Sequence, residues 1–211
     1  MRARFTVAEI QAAALRIVDL EGLSGLSMRS LAAALSTGPM TLYNYVQNRD
    51  ELEALVAEAV IADVEVPPAS DDWVDDVRSI ATAMWQAVHN HPNAIPLVLT
   101  RRTMSSSSYV VAESLIEALS RGKLADGPLL TAFRAVLSLV MGSAQVELPA
   151  RSAGGDRDQQ QREAAGYIGA LAGDEHRRIA ALSKVSQRST PADDFAGALE
   201  LLLAGIRTAT P

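Results

Sequence analysis

The chain contains no cysteine, only two lysines and only nine aromatic residues among its 211 positions. Without cysteine there is no disulfide, no thiol nucleophile and no thiolate metal ligand. Histidine is scarce too, with three in all. His89 and His91, in "HNHP", stand two apart, which on a helix turns them to nearly opposite sides. His176 is isolated in the sequence. No metal site and no cofactor are therefore expected. A glycine-rich phosphate loop and a nucleophile–base pairing are also missing, so enzymatic chemistry is not expected. The acidic group Asp71, Asp72, Asp75 and Asp76 reads as favourable charge at a helix N-terminus rather than as a carboxylate site. No signal peptide is legible, because Glu9, Gln11 and Arg16 break the apolar character of the opening residues. The longest strongly apolar piece, "AVLSLVMGSAQV", falls short of the ~18 residues of a membrane span. The expectation is a cytoplasmic protein with no membrane partner.

Strand signal is also nearly absent: alternation is rare, and Ala and Leu outweigh β-branched runs. What is present is helix punctuation. Thr6 and Glu9 in "TVAE" have the spacing of a capping box, opening a helix that Gly22 ends. Ser27 starts a second helix. Gly38 supplies a turn, and Pro39 opens a short third helix running to about Val46. Asn48 and Glu51 open a fourth over 48–64, stopped by Pro67 and Pro68. A long helix follows from Asp71 or Asp72 to Pro92, then a short helix and the polar run 105–108. Next come a helix ending at Gly122 and one near 128–148 that is apolar on two faces. Residues 151–162 read as a loop, and a closing helix covers about 191–208. The fold class is all-α, with nine or ten helices. The division is 1–50 as a helix-turn-helix unit, 48–64 as a connecting helix and 65–211 as a larger helical domain.

Charge separates along the same line. The net charge is −6, yet residues 1–50 hold five Arg against four acidic groups, so the acidic balance lies entirely in 51–211. The first fifty residues can face an anion locally. In the short third helix Leu42, Val46 and Pro39 share the inward face. Met40, Thr41 and Asn44 share the outward one, with Tyr43 and Tyr45 on its flanks. That surface suits a duplex groove. Asn bonds adenine N6 and N7, Thr donates, accepts or meets a thymine methyl, and tyrosine hydroxyls at the edges reach phosphate. Arg29 on the second helix is placed for guanine or backbone contact, and Arg49 at the start of the fourth for a second backbone contact. Two helices joined by a tight turn, the second polar outside, form the helix-turn-helix pattern. A role for the two tyrosines in covering the joint between helices is the competing reading.

The stretches "TVAEIQAAALRIVDLEGLSGLSMRSLAAAL" and "TLYNYVQNRDELEALV", in this order and spacing, resemble the DNA-binding domain of the TetR family of bacterial transcriptional regulators. The resemblance covers the first ~60 residues. It implies a homodimer that binds a palindromic double-stranded DNA operator and responds to a small effector held in the C-terminal domain. By position, Arg29, Thr41, Tyr43, Asn44, Tyr45 and Arg49 correspond to DNA-contacting sites of the family. Met40 stands at a variable one, and Arg2 and Arg4 are the only basic residues of the N-terminal arm.

The closing "DDFAGALELLLAGI" resembles the end of the C-terminal domain in the tetracycline-repressor branch, where the last helix and an earlier long one build a four-helix bundle with a second subunit. The apolar faces agree, and Val136, Leu139, Val146, Leu199, Leu202 and Ile206 are the expected dimer residues. The resemblance also supplies the idea of an effector pocket between the helices near 73–148. Its candidate lining is Met84, Trp85, His89, Met104, Phe133, Met141 and Gln145, for a largely apolar ligand. The functional expectation is a ligand-responsive repressor; the alternative is a helical interaction adaptor whose helix-turn-helix no longer binds DNA.

Overall fold

The computed structural model describes residues 5–101, 105–146, 157–172 and 175–209. Arg2, Arg4 and the candidate Met104 lie outside the described residues. Eleven α-helices and one 3-10 turn occur among them, and no strand. The helices are α1 Val7–Gly25, α2 Met28–Ala34, α3 Pro39–Leu42, α4 Arg49–Ala62, α5 Trp73–Asn90, α6 Ile95–Thr100, α7 Ser106–Ser120, α8 Asp126–Val146, α9 Arg157–Ala172, α10 Arg177–Ser186 and α11 Pro191–Thr208, with the 3-10 turn Pro92–Ala94 leading into α6.

The expected starts follow from side-chain caps. Thr6 and Glu9 close a reciprocal capping box, and Asn48 Oδ1 accepts from Glu51 N at 2.9 Å. Gly22 breaks α1 as expected, with φ 71, but the chain then turns once more to Gly25. The turn before α3 is not made by Gly38, whose φ is −86; Ser36 takes the left-handed conformation there, at φ 49. α3 is shorter than expected, ending at Leu42 with Tyr43 as its cap. The serine run is not a loop: Ser105 caps α7, and the other three open it. α9 begins at Arg157, inside the segment expected to be loop.

Two apolar clusters form the interior. The first joins α1–α4 to α6 and to the ends of α5 and α8, through Ile10, Val18, Leu31, Leu42, Val46, Val56, Ile95 and Ala144. The second unites the rest of α5 with α7, α8 and α11, through Val77, Trp85, Leu115, Val136, Phe195 and Leu203. The helix-turn-helix core is thus continuous with helices of the body across α4 and α6. Over its 21 residues α8 is apolar enough, by length and composition alone, to cross a membrane, which a count of uninterrupted apolar residues missed. In the fold its Ala132, Val136, Val140 and Ala144 pack into the interior.

α9 and α10 form a hairpin that packs chiefly against itself. Its seam is made of small residues: Ala165, Ala172 and Ser183 are buried, and a Cβ at Gly169 would collide with Ser183 Oγ. Tyr167, Ile168, Leu171, Leu182 and Val185 remain exposed on the outside.

Candidate functional site

α3 is held from beneath by Leu42 and Val46, both fully buried. Pro39, expected to face inward with them, is exposed, because its ring at the first helical position projects before the turn closes on the core. Met40 is 78% exposed and Tyr43 45% exposed. Asn44 is exposed and Thr41 half-buried. Asn44 Nδ2 donates to Thr41 O at 3.3 Å, a long bond within its own turn that a base edge can displace. Arg29 is exposed on α2 beside this surface.

The two tyrosines divide. Tyr43 keeps its ring at the surface. Tyr45 is half-buried, its Oη accepts from Phe5 N at 3.2 Å, and its ring meets Phe5 edge-on at 6.5 Å. Tyr45 braces the start of α1, so the joint-covering role applies to it. Arg49 has contacts that the sequence did not show. Its Nε donates to Glu53 Oε1 at 2.7 Å, its Nη1 to Leu26 O at 3.2 Å and its Nη2 to Leu23 O at 3.3 Å. The first turn of α4 abuts the end of α1, and the guanidinium satisfies carbonyls there that the helix end leaves open. Three of its donors are thus engaged within the protein, while the side chain stays 58% exposed.

In the helical body, Trp85 lies between two partners. The His89 ring stacks on it at 4.5 Å and 23°, and the Phe195 ring at 5.3 Å and 16°. A narrow crevice beside the stack, with no room for a water molecule, is lined by Trp85, Val88, His89, Ile95 and Ala144. Of the expected lining, Trp85 and His89 are there. Met84 is buried in the second cluster, Phe133 packs against the same cluster and Met141 against the first. Gln145 is exposed. Val88, Ile95 and Ala144 in the lining, and Phe195 in the stack, were not among the candidates. Val88 lies three residues after Trp85 and so on its helical face; the others are small or aliphatic, or lie on distant elements, and carry no local signal.

The expected dimer residues also split. Val136, Leu199 and Ile206 are buried in the chain's own interior and have no surface to offer. Their stripe, with Leu203 in place of Leu202, is the face on which α8 and α11 meet the body. Leu139 and Leu202 are half-buried, and Val146 is 80% exposed. Leu130 and Leu201 stand exposed on the outward side of the same two helices.

The acidic cluster has structural roles. Asp72 caps α5 by accepting from Val74 N at 2.8 Å. Asp76 is buried, accepts from Ser70 N at 2.9 Å and pairs with Arg121. Burial works against its charge, but the Ser70 hydrogen bonds and Arg121 outweigh it and hold its carboxyl below the usual range. No group of three potential metal ligands is found among the described residues.

A family model described as "Tetracyclin repressor-like, C-terminal domain" matches residues 66–210. The HTH-type transcriptional repressor DrrR1 of Streptomyces coeruleorubidus is 31% identical over 145 residues, 68% of this chain and 54% of that protein. An HTH-type transcriptional regulator of Saccharopolyspora erythraea is 30% identical over 140 residues, 66% of this chain and 59% of the relative. The chain thus spans between half and three-fifths of the length of these curated relatives. Among solved structures, ActR of Streptomyces coelicolor in complex with actinorhodin superposes with a TM-score of 0.80 at 28% identity, over 99% of this chain and 98% of that one. BioQ with its double-stranded DNA operator has a TM-score of 0.65 at 20% identity, over 97% and 99% of the two chains, a likeness of fold alone.

Proposed function

The chain belongs to the TetR family of transcriptional regulators, and on that premise we propose that it is a ligand-responsive repressor that binds a palindromic operator as a homodimer and is released by a small effector. The observation that carries this reading is the α3 surface. Met40, Tyr43 and Asn44 stand exposed, with Thr41 half-buried among them, on a short uncharged helix anchored by Leu42 and Val46, beside the exposed Arg29. Asn44, Thr41 and Met40 face base edges, while Tyr43 and Arg29 reach the backbone. Residues 1–50 form the reading unit, α4 connects it, and 65–211 form the effector and dimer domain. The relatives are regulators rather than enzymes, which supports a binding protein acting in the cytoplasm.

A second copy would cover the outward side of α8 and α11, where Leu130, Val146 and Leu201 are exposed. The effector would enter beside the Trp85, His89 and Phe195 stack. The faces of Trp85 are already covered by His89 and Phe195, so a largely apolar ligand would have to part the stack to bind; the ActR complex with actinorhodin supports a ligand-binding body.

Selection of bound duplexes from a random pool, followed by a salt titration of the selected site, tests the reading. The expected result is a two-fold symmetric site whose affinity falls steeply with salt through counterion release. No duplex binding even at low salt would overturn it and favour the adaptor.

A further inference from the structure

His91 stands where three elements converge. It ends α5 and begins the 3-10 turn; its N–H donates to Val88 O at 3.3 Å, and its carbonyl accepts from Ala94 N at 2.9 Å. Backbone on both sides therefore fixes the ring. Its Nδ1 lies 3.0 Å from Asp19 Oδ2 on α1, and its Nε2 lies 2.8 Å from Asp63 Oδ2 at the end of α4. An ionised carboxylate only accepts. Both contacts are hydrogen bonds at once only when both ring nitrogens carry a proton. A neutral imidazole has one N–H, so one aspartate would then meet a ring lone pair at hydrogen-bond distance.

The surroundings supply no substitute. Asp19 Oδ1 is buried with no hydrogen-bond partner. Asn93 donates to the Asp19 backbone oxygen at 3.0 Å and carries no charge. His89, on the same turn of α5, stacks on Trp85 instead. The charged groups facing the ring among the described residues are Asp19 from α1 and Asp63 from α4. The ring side chain is 15% exposed, Asp19 31% and Asp63 58%. Asp63 is therefore the partner that turns to water when a proton leaves.

We propose that His91 is a proton-dependent clasp that fastens the helix-turn-helix unit to the body, closed with the imidazolium bridging Asp19 and Asp63 and open at the α4 end when the ring is neutral. The opposite end of α4 has a grip that does not titrate in this range. Arg101, ending α6, donates to Asp50 Oδ1 at 2.9 Å and Glu53 Oε2 at 2.5 Å, and a guanidinium stays charged. One short segment, 91–101, thus holds α4 at both ends, and protons address only one of them. The clasp needs neither operator nor effector, so it stands or falls separately from the repressor reading.

The absence of cysteine makes spin labelling clean. Ala33→Cys in α2 and Ser79→Cys in α5, both at exposed positions, carry nitroxides, in chain refolded with a roughly tenfold excess of unlabelled protein to isolate the intrachain distance. In the parent, the distance distribution is expected to widen roughly 1.5-fold between about pH 6 and about pH 8.5. His91→Gln is expected to be wide at both. Asp63→Asn is expected to stay narrow at both, because an amide N–H donates to Nε2 while Nδ1–H still meets Asp19. The thermal midpoint should follow, the parent losing about 2–4 °C relative to Asp63→Asn over the same rise. A parent distribution that does not change with pH, or an Asp63→Asn variant that widens like the parent, overturns the proposal. Asp63→Asn keeps it testable even if His91→Gln does not fold.

Discussion

Arg101, at the end of α6, donates to Glu53 at 2.5 Å, and the other Glu53 oxygen accepts from Arg49 at 2.7 Å. Arg49 in turn donates to the carbonyls of Leu23 and Leu26. A continuous polar chain therefore runs from the body, through α4, to the joint between α1 and α2. Burial works against the Glu53 charge, yet Arg101 and Arg49 outweigh it and hold its carboxyl below the ordinary range.

A carboxyl depressed in the folded state contributes stability that is present above its unfolded value and lost as pH falls through its folded value. Glu53→Gln should therefore cost about 1–3 kcal/mol at neutral pH and progressively less under acid conditions. Urea midpoints of parent and variant, compared at about pH 7 and about pH 3.5, should converge; a constant gap would mean that packing, not charge, is lost.

The two arginines proposed from sequence as DNA contacts should separate. Arg29→Ala is expected to lower the magnitude of the salt slope of operator binding by about one. Arg49→Ala should leave the slope unchanged but lower the thermal midpoint by about 2–6 °C, because its donors tie the end of α1 to α4. Equal slope changes for both would return Arg49 to the DNA surface.

Asn44→Ala should weaken operator binding by about 1–3 kcal/mol and relax preference at one base pair of each half-site. Tyr45→Phe should instead act on folding, since it removes the acceptor of the Phe5 N–H. Binding-site selection with each variant reads the difference; unchanged selectivity in Asn44→Ala removes it from the reading surface.

Leu201 is 79% exposed and Leu199 is 1% exposed on the same helix. Leu201→Asp is expected to leave the chain folded and weaken self-association at least about a hundredfold. Leu199→Asp should prevent folding, because it places a charge in the interior. Sedimentation velocity and circular dichroism separate the two, and a fully dimeric Leu201→Asp would move the interface elsewhere.

The sequence made the local features legible. Thr6 with Glu9, and Asn48 with Glu51, marked helix starts that the fold reproduces, because a cap is satisfied within three residues of itself. Leu42 and Val46 were recognisable as anchors by spacing. Pro39 read as a third anchor but is exposed, since at a helix start the angular reading counts a turn that has not yet formed. The hidden part consists of partners far away in sequence. Arg49 reads as a free basic residue until α4 folds against the end of α1. Val136, Leu199 and Ile206 read as an outward face because α8 and α11 are apolar on both sides, and periodicity cannot choose between two apolar stripes.

By itself the sequence determined an all-α chain, the places where its helices begin, an uncharged outward surface on α3 and the family to which the whole belongs. These depend on side chains acting within a turn or two of helix. Tertiary structure alone decided which apolar stripe goes inside, which arginine ties the end of α1 to α4, that Trp85 is stacked between His89 and Phe195, and that His91 bridges two aspartates. Each of those is set by the packing of elements tens of residues apart, where burial and charge pairing, not local spacing, choose the outcome.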